Sequence, residues 1–168
     1  VDVPRTPAPA PVPRGQQADA RPVVAQGGNR VLLVEDDAVS AEVAKGMLAR
    51  ARITVDCVVD GAEAVARVSA GERYAAILMD VVLPGVDGLE ATRRIRQLPG
   101  GRDVPIVALT ATAFAEDRAR CLEAGMDDFL AKPIAPAALY AALAHWLPAI
   151  EAIAAAASAD HQAPPAPL

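Results

Sequence analysis

Aromatic residues are nearly missing from this sequence: one Trp, two Tyr and two Phe make up 3% of 168 residues. A packed interior must therefore come from Ala, Val, Leu and Ile. Cysteine is equally scarce. Cys57 and Cys121 stand alone, without CxxC spacing, and read as two reduced, largely buried thiols. His145 and His161 share no spacing with other ligands, which sets zinc chemistry aside. Positive charge is short too, with 16 Lys and Arg against 21 Asp and Glu and a formal net charge of −5. A nucleic-acid surface needs clustered Lys and Arg and is not expected. No apolar run approaches the roughly 18–20 residues that span a bilayer. The start lacks the charged-then-apolar order of a signal peptide. The expected location is the cytoplasm, without direct membrane contact, and a membrane-anchored parent chain stays open.

Proline is present in quantity, but near the ends. Residues 1–29 hold Pro4, Pro7, Pro9, Pro11, Pro13 and Pro22 among Ala, Gln, Arg and Gly, with no helical or strand period. That composition predicts an extended, disordered linker of polyproline character. Residues 148–168 are Ala-rich and close on Pro164-Pro165-Ala166-Pro167, which predicts a tail or second linker. Ala154–Ala157 could prolong a helix there. Two such ends suggest a module tethered within a larger protein.

Between them, strand and helix patterns alternate five times. Strands are expected over about 30–35, Ile53–Val58, about 75–80, Pro105–Thr110 and about 128–131. A first helix over about 38–50 places Val39, Val43 and Met47 on one face. Asp60-Gly61-Ala62-Glu63 and Asp87-Gly88-Leu89-Glu90 each read as a capping acid with Glu three residues on. Gly71 stops the second helix, Pro99-Gly100-Gly101 the third, and Gly125 a fourth over about 115–124. A last helix over about 136–147 aligns Leu139, Leu143 and Leu147 toward the sheet. Strict alternation with short loops predicts an α/β fold, a doubly wound, right-handed parallel sheet with helices on both faces.

The chemistry gathers at the strand ends. Ala75-Ala76-Ile77-Leu78-Met79 is apolar throughout, as a strand buried on both faces is, and it ends in Asp80. Val31-Leu32-Leu33-Val34 ends in Glu35-Asp36-Asp37, the fourth strand in Thr110, and the fifth in Lys132. Open α/β sheets bind ligands at this edge. Carboxylates from adjacent strand ends repel unless a cation joins them. Mg²⁺ suits a site of a few carboxylates that also keeps waters and a phosphate oxygen. Asp80 can then act as a nucleophile toward phosphorus, with Mg²⁺, Lys132 and the Thr110 hydroxyl each taking one equatorial oxygen. Taken singly, these groups have plainer readings. Asp36 or Asp37 could cap the first helix, Asp37 above all. Thr110 could be a turn residue and Lys132 an exposed lysine before a proline. Their joint arrangement at the ends of strands 1, 3, 4 and 5 favours a phosphoryl-transfer site.

LLVEDDAVS, ILMDVVLPGVDGLEATRRIR, PIVALTA and AGMDDFLAKPI resemble the receiver domains of bacterial two-component signalling, over about residues 30–147. Spacing agrees: 44 residues from Asp36 to Asp80, 30 more to Thr110 and 22 more to Lys132. The resemblance implies a flavodoxin-like five-stranded parallel sheet in the order 2-1-3-4-5. It implies Glu35 and Asp36 as metal acids, Asp80 as phosphoacceptor and third metal ligand, and the Val82 backbone carbonyl as a further one. Lys132 becomes the phosphate-contacting lysine, Thr110 the switch hydroxyl and Phe129 the switch aromatic. The partners implied are a histidine kinase phosphodonor, in the same chain or another, and a histidine phosphotransfer module. GLEATRRIR and LTATAFAEDRARCLEAGMDDFLAKPI look most like receivers fused to hybrid histidine kinases. Val82 gives no polar side chain two residues after Asp80, and Thr112 could supply a weak hydroxyl there.

Two other classes compete. A haloacid-dehalogenase-type phosphatase also uses a strand-end Asp, Mg²⁺, Thr and Lys, but needs a second acid where Val82 stands. A pseudo-receiver used only for protein contacts would lack part of the acid set, and every member is here. APAALYAALAHWL, the last helix, carries no Lys, Arg, Asp or Glu, which argues against the charged dimer face of some transcription-factor receivers.

Overall fold

The computed structural model describes residues 29–112 and 114–147. Except for Asn29, the expected linker over 1–29 and tail over 148–168, with Ala154–Ala157, lie outside the described residues. Five strands alternate with five helices: β1 Arg30–Val34, α1 Ala38–Arg50, β2 Thr54–Val58, α2 Gly61–Ser69, β3 Ala76–Asp80, α3 Gly88–Arg96, β4 Ile106–Thr110, α4 Ala115–Ala124, β5 Asp128–Ala131 and α5 Pro136–Trp146. The strands form one parallel sheet in the order β2-β1-β3-β4-β5, as expected of a doubly wound flavodoxin-like fold.

Because side chains alternate along a strand, each central strand feeds two cores. Val31, Leu33, Leu78, Val107 and Leu109 pack toward α1 and α5, together with Leu48, Leu139, Leu143 and Leu147. Leu32, Val34, Ile77, Met79, Ile106 and Ala108 pack toward α2, α3 and α4, with Val68, Leu89, Ile95 and Cys121. All five residues of β3 and of β4 are buried. Each fully buried Leu or Ile contributes roughly 1.5–3 kcal/mol relative to exposure.

The capping acids start their helices as expected. Asp37, Asp60 and Asp87 accept from the backbone N–H groups of Ser40, Glu63 and Glu90 at 2.8, 2.7 and 2.8 Å. Gly71 and Gly125, at φ +92° and +107°, turn the chain out of α2 and α4 in the left-handed region.

The inward face of α1 is a different stripe from the one that Val39, Val43 and Met47 share. Val39 is 72% exposed and Val43 50%, while Ala41, Ala44 and Leu48 are buried. Met47 only flanks the core. Two alanines let the helix close down on the sheet, and the larger valines are left on a neighbouring stripe. Tyr140 of α5 fixes the same layer by donating its hydroxyl to the Met47 carbonyl at 2.8 Å.

Candidate functional site

Parallel pairing brings the carboxyl ends of β1, β3, β4 and β5 to one edge, and the pairing runs on past the strands. Glu35 N–H donates to the Val58 carbonyl at 3.0 Å, Val81 N–H to Leu109 at 3.0 Å, and Lys132 N–H to Thr110 at 2.8 Å. The groups that end those strands are thereby held side by side. Gly88 allows α3 to begin directly beneath Asp80: a Cβ there would lie 2.0 Å from the Asp80 carbonyl oxygen. Sequence reading saw only a cap at this place. The signal for a close approach was the glycine itself, one residue after the cap.

Asp80 is 4% exposed and Glu35 2%, whereas Asp36 faces solvent. Asp80 is fixed at both oxygens. The Val82 N–H donates to Oδ1 at 3.0 Å and the Lys132 ammonium to Oδ2 at 2.8 Å. Lys132 Nζ also lies 2.8 Å from Glu35 Oε2. Burial works against the Lys132 charge, but the carboxylates of Asp80 and Glu35 outweigh it and raise its pKa. Burial pushes the Glu35 carboxyl upward, against the lowering effect of Lys132 and of the Asp37 N–H, which reaches Oε1 at 3.1 Å.

The Lys132–Glu35 contact is an ion pair. Among the described residues, Glu35 Oε2 is the buried side-chain oxygen left without a hydrogen bond. Such an oxygen is costly unless a cation meets it, as the Lys132 ammonium does here. One oxygen each from Glu35, Asp36 and Asp80 lies within 4.8 Å of the others. An all-oxygen set of three carboxylates, one of them exposed, fits a hard divalent ion that keeps part of its hydration.

Thr110, 7% exposed, is engaged with its own loop and not with Asp80. Its hydroxyl donates to the Thr112 carbonyl at 2.8 Å and accepts from the Thr112 N–H at 3.2 Å. The Thr112 hydroxyl, suggested by the sequence as a weak substitute for the polar group Val82 lacks, donates instead to Asp117 Oδ2 on α4 at 2.6 Å. Phe129 is half-buried on β5, with the Arg118 guanidinium 4.3 Å from its ring centre. Val82 is exposed and meets Asp80 through its N–H. Asp37 stays a helix cap. Asp117 and Arg118 follow no strand, and nothing in the sequence sets them apart from other helix charges.

Comparison with known proteins fits this geometry. The response regulator receiver domain family matches residues 31–144. Hybrid signal transduction histidine kinase L of Dictyostelium discoideum is 39% identical over 110 residues, which is 62% of this chain and 6% of that protein. The chain spans between 6 and 15% of the first three curated relatives it matches. The receiver domain of the sensor histidine kinase PA1611 from Pseudomonas aeruginosa, crystallised with magnesium in its active-site cleft, is 49% identical. Its TM-score is 0.66, over 71% of this chain and 97% of that one. The receiver domain of Saccharomyces cerevisiae Ssk1, solved with the histidine phosphotransfer protein Ypd1, is 31% identical with a TM-score of 0.63, over 70% and 87%. No helix among the described residues is long and apolar enough to cross a membrane. Fold, strand-end chemistry and these matches agree: the chain belongs to the response regulator receiver family of two-component signalling.

Proposed function

We propose that Asp80 takes a phosphoryl group from a phosphohistidine on a histidine kinase. The protein then passes the group to a histidine phosphotransfer module or presents a changed surface to a partner. The observation that carries this reading is Lys132 Nζ, 2.8 Å from both Asp80 and Glu35 at the edge where Asp36 completes the acid set. Likeness to a hybrid histidine kinase, to a sensor-kinase receiver solved with magnesium and to a response-regulator receiver solved with a phosphotransfer protein supports the same donor, acceptor and ion.

Each residue has a part. The Val82 N–H and the Lys132 ammonium fix the Asp80 carboxylate before the donor arrives. An Asp80 oxygen attacks phosphorus. The new P–O bond forms as the P–N bond breaks, and the electron pair of that bond stays on the imidazole nitrogen. Mg²⁺ held by Glu35, Asp36, Asp80 and the Val82 carbonyl would neutralise the clustered carboxylates and charge on a phosphoryl oxygen. Lys132 follows the growing charge onto a second oxygen, and the Thr110 hydroxyl, leaving the Thr112 carbonyl, donates to a third. Phe129 then turns into the space Thr110 vacates, and the α4–β5–α5 surface reads out the state.

Phosphoramidate, whose P–N bond imitates the donor, tests the transfer. With Mg²⁺ it should load one base-labile phosphoryl group on the wild type and none on Asp80→Asn. Equal loading of the two would sink the assignment.

A further inference from the structure

The first turn of α4 grips both ends of the switch. Asp117 accepts the Thr112 hydroxyl at 2.6 Å, and the Thr112 carbonyl in turn holds the Thr110 hydroxyl at 2.8 Å. The next residue, Arg118, lays its guanidinium 4.3 Å from the centre of the Phe129 ring. Adjacent residues of one helical turn thus hold the loop that carries Thr110 on one side and Phe129 on the other. Arg118 is exposed and has no other side-chain partner among the described residues, so burial does not dictate its place. Phe129 is half-buried beside the core that α2, α3 and α4 cover, with the Arg118 cation over its ring. A groove of about 470 Å³, lined by Val82, Thr110, Thr112, Asp117 and Arg120, borders the loop and leaves room for it to shift.

We propose that Arg118 is a positioning residue that holds Phe129 in its unphosphorylated place, and that the Thr112–Asp117 hydrogen bond keeps Arg118 there. This rests on the reading of Thr110 and Phe129 given above. When Thr110 turns to a phosphoryl group on Asp80 it must release the Thr112 carbonyl. The release loosens the pull of Thr112 on Asp117, the first turn of α4 shifts, and the guanidinium leaves the ring. Thr110 and Phe129 move together because one turn of helix ties them. An equilibrium of two arrangements linked this way is shifted by weakening either grip.

Backbone amide spectra of the full chain test it, read at Thr110, Thr112 and Lys132, which do not touch Arg118. Beryllofluoride with Mg²⁺ defines the direction in which wild-type signals move on activation. Arg118→Met keeps the stem and drops the cation. Without beryllofluoride it should displace the three amides along that same direction and raise the rate of phosphoryl uptake from acetyl phosphate roughly two- to fivefold. Arg118→Lys, which keeps a cation, should restore the wild-type positions, and Thr112→Val should act like Arg118→Met. Unchanged amides in Arg118→Met, or displacement off the activation line, would overturn the positioning role while leaving Asp80 as acceptor. A wild type that ignores beryllofluoride with Mg²⁺ would overturn the proposed function and this inference with it.

Discussion

Lys132 is the ammonium among three acids, hydrogen-bonded to Asp80 and ion-paired with Glu35 Oε2, each at 2.8 Å. Removing it leaves two buried carboxylates with no counter-charge. Lys132→Met should therefore lower stability by about 1–3 kcal/mol in metal-free buffer, with most of the loss recovered on adding Mg²⁺. Urea unfolding with and without Mg²⁺ reads both numbers. Equal losses in the two buffers would mean that no cation takes over the Lys132 position. Tyr74 gives a pH-dependent test far from that site. Burial, helped by a hydrogen bond to Glu72 at 3.0 Å, pushes its pKa up to about 12. Its one proton serves either Glu72 or Asp56, 3.2 Å away, within a cluster that Arg30 and Arg67 complete. The unfolded chain gives up this proton near pH 10 and the folded one later. The contribution of Tyr74 is thus intact below about pH 10 and fades as pH rises toward 12, by about 2–3 kcal/mol in all. Tyr74→Phe should flatten that alkaline fall in thermal melts; an unchanged slope would assign the fall to other groups. At this scale the sequence was most readable where a residue ends a strand. Glu35, Asp36, Asp80, Thr110 and Lys132 lie at the edge where an apolar run stops. Tyr74 and Arg30 meet only through sheet pairing, which no local pattern displays.

Elements were legible wherever capping chemistry punctuates them. Asp60 and Asp87 begin α2 and α3, Gly71 and Gly125 end α2 and α4, and the expected strands agree with the observed ones to within a residue. The packing face of α1 was not legible. A periodicity weighted by side-chain size selects Val39 and Val43, whereas contact with the sheet selects Ala41 and Ala44 for their smallness. Arg96, in the last turn of α3, was likewise just a helix charge in the sequence. It donates to the carbonyls of Gly125, Gly101 and Val104 at 2.8, 2.9 and 2.6 Å and to Asp127 at 2.7 Å. It thereby ties the α3–β4 and α4–β5 connections beneath the sheet, and Asp127 also accepts the Ile106 N–H at 2.9 Å. A lysine cannot fan its donors this widely. Arg96→Lys should cost about 1.5–3 kcal/mol in urea unfolding, with phosphoryl uptake at Asp80 retained because the network lies at the far edge. A loss of uptake in folded Arg96→Lys would show that the two edges are coupled.

Across the whole molecule, one topology explains why residues so far apart in sequence form one site. A 2-1-3-4-5 order places β3 between β1 and β4, so that Asp80 emerges beside Glu35 and Asp36 on one flank and Thr110 on the other, with β5 delivering Lys132. Alternating strand and helix patterns implied a parallel sheet, the family resemblance its strand order, and the four groups at strand ends suggested the site. The loop state was hidden. Nothing in the sequence distinguishes a Thr110 hydroxyl aimed at Asp80 from one bonded to Thr112. The central claim, that Asp80 is the phosphoacceptor, is tested most directly by trapping the acyl phosphate itself. The protein is incubated with acetyl phosphate, reduced with borohydride, which converts a phosphorylated aspartate to homoserine, and digested for peptide mass spectrometry. The expected result is homoserine at position 80 in samples with Mg²⁺ and aspartate at that position in samples with EDTA. Homoserine at Asp36 or Asp37 with position 80 unmodified, or no reduction product in the presence of Mg²⁺, would contradict the claim.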